Sequence, residues 1–249
     1  MEVHAHTHTE RKKWTHYFWE FLMLFFAVFC GFLAEYQLEH KIEKERGKQY
    51  IESFYEDLKK DTARLAYLIG FETAKIASLN KLHSCFDSIS KNEQPASFVE
   101  IIKNSLSNTP FLMDGRTLRQ LTNAGGFRLL QKEDADSITS YEKYGNNFED
   151  YQSTLYQQAQ DNLRNTFNEV IDFVPYTRLY ADVANNPLPD ATDLTTPLLL
   201  TTDKRILNKY FNQLFQYLRA TVQHRNRLRL FKEHAERLLR YFSRKYHFS

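Results

Sequence analysis

Glycine and proline are scarce, at seven and six in 249 residues. Strands need frequent turns, and turns draw on Gly, Pro and Asn, so this shortage argues against a sheet and for long helices. Cysteine is scarcer still. Cys30 lies in an apolar stretch and Cys85 far along a later helix, a placement unsuited to an intramolecular disulfide. Cys85 reads as a small buried hydrophobe. Charge of one sign is also lacking, because 33 Lys and Arg against 31 Asp and Glu leave only +2. That argues against a nucleic-acid partner for the chain as a whole. No P-loop, dinucleotide-binding glycine fingerprint, Gly-x-Ser-x-Gly, His-Glu-x-x-His or paired Cys-x-x-Cys occurs. Neither catalysis nor a cofactor is therefore inferred.

Aromatic residues are plentiful, with 20 Phe and 15 Tyr. Many gather in the strongest local signal, an apolar run without charge from Phe21 to Ala34. Tyr17, Phe18 and Trp19 extend it on one side, and Tyr36 and Leu38 on the other. A helix over 17–38 is about 33 Å long, enough to cross the hydrocarbon core of a bilayer. Trp14, Tyr17 and Trp19 at one end and Tyr36 at the other match the aromatic belts of a spanning helix. Arg11, Lys12 and Lys13 also suit the start of a signal peptide, but Phe32 stands where cleavage before Glu35 would want a small residue. An uncleaved signal-anchor follows, with residues 1–16 as a basic, His-containing cytoplasmic tail and the remaining chain outside, in the periplasm.

Beyond the span, residues 39–249 read as one elongated antiparallel helical bundle, so the fold class is all-α with one transmembrane helix. Ile51, Tyr55, Leu58, Leu65, Ile69, Ile76, Leu79 and Phe86 recur at helical spacing and predict a helix over about 48–90. It either continues the membrane helix or hinges near Gly47. Ser97 and Glu100 have the spacing of a capping box. A short helix with Leu118 and Leu121 stops at Gly125 and Gly126. Asp134 or Asp136 caps a long helix over about 134–174, which Gly145 interrupts as a bend. The proline-bearing stretch 175–202 is a loop, and Asp203 opens a last helix to about 246. Three long helices in alternation put that loop near the bilayer and the basic end of the last helix far from it. From Arg219 onward that helix carries nine Lys and Arg against Glu233 and Glu236. It reads as a solvated face or as a contact for an anionic partner.

Three sets of residues suggest chemistry. His4, His6 and His8 form a tail cluster able to hold a transition metal, although nothing in the pattern supplies a second shell. Ala27, Cys30, Gly31 and Ala34 form a small-residue stripe suited to close helix association in lipid. Glu20 and Glu35 sit near the two ends of the span, as interfacial markers or as acids that handle ions.

Arg11 to Trp14, Glu20 to Leu24 and Gly31 to Glu35 together resemble the start of an uncharacterised Bacteroidota family of single-pass, N-terminally anchored helical membrane proteins. Thr117 to Leu121 and Ala124 to Leu129 resemble a second block of the same family. The resemblance implies a helical fold and an inner-membrane location in the cell envelope, and brings no catalytic residues.

The expected function is that of a membrane-anchored envelope scaffold. Its partners are the lipid bilayer and either copies of itself or another membrane protein. A sensor subunit signalling through a partner is an alternative, and so is one subunit of an oligomeric channel or transporter.

Overall fold

A computed structural model describes residues 14–91, 93–178 and 198–248. The His4, His6 and His8 cluster and most of the 175–202 loop lie outside these. The described chain is all-α. Helix α1 runs unbroken over Trp14–Leu79, followed by α2 (Leu82–Ile89), α3 (Ala96–Leu106) and α4 (Arg116–Asn123). Then come α5 (Lys132–Tyr151), a π turn (Gln152–Tyr156), α6 (Gln157–Phe167), short α7 (Phe173–Arg178) and α8 (Lys204–Tyr246). Among the described residues no strand occurs, only one isolated antiparallel bridge between Ile171 and Leu199.

Among the described residues the first part of α1 is the one helix long and apolar enough to cross a membrane, and its apolar window is wholly unburied. Phe21 and Leu24 stand 66% and 71% exposed. Each large apolar side chain left in water forgoes about 1.5–3 kcal/mol, so this stretch has the surface of a helix suited to an apolar surrounding. Past Leu38 the pattern changes. From Gly47 onward one face is buried, through Ile51, Phe54, Leu58, Leu65, Leu68, Ile76 and Leu79.

No hinge exists at Gly47. α1 passes straight through it, and a Cβ there would collide with the carbonyl oxygen of Leu129. Gly145 is likewise a packing site and not a bend, since a Cβ would come 2.7 Å from Met113 Sδ. A sharp local turn falls at Gly125, whose φ of 62° is left-handed. Asp203 caps α8 as expected, accepting from the amides of Arg205 and Ile206. The other expected caps differ. Ser97 bonds Cys85 and Glu100 pairs with Lys81, leaving Pro95 at the start of α3. Helix α5 starts at Lys132, with Gln131 at its cap and Asp134 turned into the core.

The order of helices also differs from simple alternation. After α3 the chain descends along α1 through α4 and reaches Gly47 at Leu129. α5 and α6 therefore run parallel to α1, away from its apolar end, and α8 returns antiparallel to both. Phe242 packs on Phe54, and Phe248 on Tyr55, near the base. The start of α8 thus sits at the far end, and its basic end packs beside residues 44–55 of α1, just past the apolar stretch.

The substitution Gly47→Ala should lower thermal stability of the full chain in detergent by about 1–3 kcal/mol, because the Leu129 backbone has no room to yield. Gly70, whose added Cβ would meet nothing, is the control. Gly70→Ala should be neutral or gain up to about 1 kcal/mol. Equal effects at both positions would show that the Leu129 contact is not tight.

Candidate functional site

The core has two apolar halves, one around Phe54, Phe111, Tyr141 and Phe231, the other around Phe98, Leu163, Tyr210 and Leu214. Between them lies an ionic cluster. Glu72, Lys75 and His224 are 0%, 2% and 1% exposed. Lys75 Nζ lies 3.4 Å from Glu72 Oε1 and 3.2 Å from each of the Tyr156 and Tyr217 hydroxyls. An ammonium has three donors, and these three partners use them all. The Tyr156 hydroxyl lies 3.3 Å from Glu72 Oε2. Burial, then the neighbouring Tyr217 and Glu72, push the Tyr156 phenol well above its ordinary value, so it remains a donor.

His224 stacks on Tyr156 with ring centroids 4.1 Å apart. Its Nε2 is 3.4 Å from Gln152 Oε1, and its Nδ1 faces Glu72 Oε1 at 3.5 Å with no hydrogen bond. Gln152 also accepts from the Phe111 amide and donates to the Phe111 carbonyl. Glu72, Lys75 and His224 thus form one buried polar cluster between the two apolar halves.

The π turn builds this cluster. Regular helical spacing from Tyr151 would bury Leu155, yet Leu155 is 61% exposed and Tyr156 is fully buried. One extra residue per turn shifts the buried face and brings Gln152 and Tyr156 to Glu72, Lys75 and His224. Such π turns concentrate at functional positions. Sequence periodicity alone selects Leu155, and the warning sign is the polar residue pair Glu72 and Lys75 on the buried face of α1.

Further buried carboxylates lie between the cluster and the base. Asp57 Oδ2 accepts from the Thr117 hydroxyl at 2.5 Å and the Thr117 amide at 3.3 Å, while Arg116 reaches Oδ1. Asp57 thus serves as a cap for α4 supplied by another helix, satisfying an amide the helix leaves open. Asp61 accepts from the Asp114 amide and the Tyr141 hydroxyl at 3.0 and 2.7 Å. Burial pushes the Asp61 carboxyl up to about 6 despite those bonds. At the base, fully buried Asp134 accepts from Tyr241, Lys245 and Tyr246.

The residues singled out in the sequence lie elsewhere. Ala27, Cys30, Gly31 and Ala34 are all exposed on the membrane part of α1, and a Cβ at Gly31 would meet nothing. Glu20 lies 3.0 Å from His16, and Glu35 is exposed on the same helix. Among the described residues no three His, Cys, Asp or Glu side chains are placed to hold a metal. Cys85 is buried against Ser97, and burial pushes its thiol up. An open groove of about 510 Å³ lies near the far end and is lined by Leu79, His83, Phe86, Phe211 and Phe215 among others. It does not border the ionic cluster. No family model, curated protein or solved structure matches the chain.

Lys75→Met should destabilise by about 3–5 kcal/mol, because it leaves Glu72 buried and uncompensated. The double variant Glu72→Gln, Lys75→Met should recover most of that loss in chemical unfolding. A double variant as unstable as the single one would show that the pair itself, not its balance, holds the core.

Asp61 gives a pH dependence of definite sign. Its folded carboxyl titrates at about 6, above the usual value, so the folded state binds the proton more tightly than the unfolded one. That contribution is complete below about pH 4 and is lost as pH rises through about 6. Melting temperature should fall between about pH 5 and 7 in the native chain, and fall less in Asp61→Asn. Parallel pH profiles for the two would remove Asp61 as the cause.

Proposed function

We propose that this chain is a membrane-anchored interaction protein of the cell envelope, held in the inner membrane by residues 17–38 with its helical domain in the periplasm. One observation carries the reading: α1 is a single helix from Trp14 to Leu79, serving first as the apolar segment and then as the core of the bundle. An anchor that continues into the core without a linker fixes the domain's height and direction over the membrane, which suits a scaffold. The most densely charged interior is sealed from solvent and away from every described groove, which favours a structural use over turnover of a substrate. The family resemblance of the Arg11–Trp14, Gly31–Glu35 and Thr117–Leu121 blocks supports the same location. The exposed Ala27, Cys30, Gly31 and Ala34 stripe offers a route to self-association in lipid. A second reading, a sensor subunit that signals through a partner, is favoured by the π turn with its buried ionic cluster.

One experiment tests the proposal. Spheroplasts are treated with a membrane-impermeant amine crosslinker, and the extracted complex is weighed in mild detergent. The expected result is a discrete oligomer or a defined partner complex, weakened by Gly31→Leu if the stripe is the contact. Lysines left unmodified until lysis would place the domain on the other side of the membrane. A fully modified monomer would defeat the interaction reading.

A further inference from the structure

The turn between α4 and α5 overhangs the foot of the bundle. Gly126 lies against the Tyr50 ring and the Leu129 carbonyl against Gly47, which fixes the turn at that level of α1. Beside it is a pocket of about 340 Å³, walled on α1 by His40, Glu43 and Lys44 and on the turn by Arg128, Leu129 and Leu130. The α1 wall lies three to seven residues before Gly47. The pocket is therefore on the side of the turn that faces the apolar stretch. Both signs of charge meet in it. Glu43, Lys44 and Arg128 are all exposed, and none of the three has an ion-pair partner among the described residues.

Height follows from the unbroken helix. His40, Glu43 and Lys44 lie two, five and six residues past Leu38, which is about 3, 8 and 9 Å along the axis. Headgroups occupy roughly the first 5–8 Å beyond the hydrocarbon. With residues 17–38 in the bilayer, His40 and Glu43 stand among the headgroups and Lys44 at their outer edge. The His40 ring stacks on Tyr36, an aromatic pair of the kind found at an interface. Arg128 starts higher, near the level of Gly47, yet it borders the same pocket as His40 and Glu43, and its long side chain spans the difference. A headgroup entering this pocket meets two cations and one carboxylate. A purely anionic headgroup would leave Glu43 facing a like charge. One that carries a phosphate and a primary ammonium satisfies all three, because Lys44 and Arg128 donate to the phosphate and the ammonium donates to Glu43. A quaternary ammonium has no N–H to give that carboxylate. Leu129 and Leu130, both half-buried, offer apolar surface to the glycerol end of the lipid.

We propose that the pocket beside the Gly126–Leu129 turn holds the headgroup of one phosphatidylethanolamine molecule from the leaflet in which α1 emerges. Lys44 and Arg128 bind its phosphate, and Glu43 binds its ammonium. The lipid bridges α1 and the turn, and so ties the foot of the bundle to the membrane surface. This rests on the anchored reading above, since the pocket meets lipid only if residues 17–38 cross the bilayer.

The test uses the full chain in a mild non-ionic detergent, with lipid retention read by native mass spectrometry. Phosphatidylethanolamine, phosphatidylcholine and phosphatidylglycerol are titrated separately with matched acyl chains. One phosphatidylethanolamine should be retained at a concentration about fivefold lower than either other lipid, the ratio one charge-assisted hydrogen bond at a partly exposed site supplies. Glu43→Gln should bring phosphatidylethanolamine and phosphatidylcholine level. Lys44→Gln with Arg128→Gln should weaken phosphatidylethanolamine retention by about tenfold, two charged contacts being lost, while circular dichroism stays unchanged. A preference that survives both variants would overturn the pocket. Equal retention of the three lipids, or a preference for phosphatidylglycerol, would overturn the headgroup assignment. Soluble phosphoethanolamine retained as tightly as the lipid would overturn the lipid as occupant. Flotation of the full chain with vesicles separates the two readings. A chain that floats but shows no lipid preference leaves the anchor standing, and a chain that fails to float overturns both.

Discussion

A single 66-residue helix carries two different surface patterns in succession. In its first part every face is apolar, and in its second only one face is buried. The charged stretch from Glu39 to Lys48 separates the two regimes without breaking the backbone. Because no proline interrupts α1, its 1.5 Å rise per residue works as a ruler from the apolar end into the core. Every other element takes its position from contacts to that ruler. Gly47 shows how closely they press, since the Leu129 backbone occupies the space a side chain would need.

The segment from Asn108 to Thr117 shows how the return path is fixed. It has little regular structure of its own, so its amides need partners from outside. They find them on the flanking helices: Phe111 at Gln152, Asp114 at Asp61 and Thr117 at Asp57. Acceptors on α1 and on the π turn thus hold an irregular strap against the bundle. That strap carries the chain back to the base, which is why α5 and α6 run parallel to α1.

Much of this was legible in the sequence. The apolar run from Phe21 to Ala34, the heptad-like positions from Ile51 to Leu79, the stop at Gly125 and the Asp203 cap all come from local spacing and turn chemistry. What was hidden depends on long-range contacts. Asp134 looks like a helix cap by position, but tyrosines and a lysine more than 100 residues away claim its carboxylate. The π turn breaks the period that reveals helices, so Leu155 was preferred to Tyr156. Counting long helices missed the descent through α3 and α4, because short helices and straps leave no strong periodic signal. The ionic cluster had one visible trace, Glu72 and Lys75 falling among the apolar positions of α1.

That cluster does its work through position more than through net stability. Apolar side chains such as Leu65 and Leu214 tolerate a helix sliding by one turn, because one apolar neighbour replaces another at small cost. Lys75 tolerates no such slip. A shift of α8 by one turn, about 5.4 Å, would carry Tyr217 and His224 away from Glu72 and Lys75. It would strand buried charge at a cost of several kcal/mol. Asp134 sets the same condition at the base, where a slip would part it from Tyr241, Lys245 and Tyr246. Two polar sites along one helix pair define a single register, and the apolar halves fill the volume that this register leaves. The position of α8 along α1 is therefore set by chemistry in the middle of the bundle and at its base.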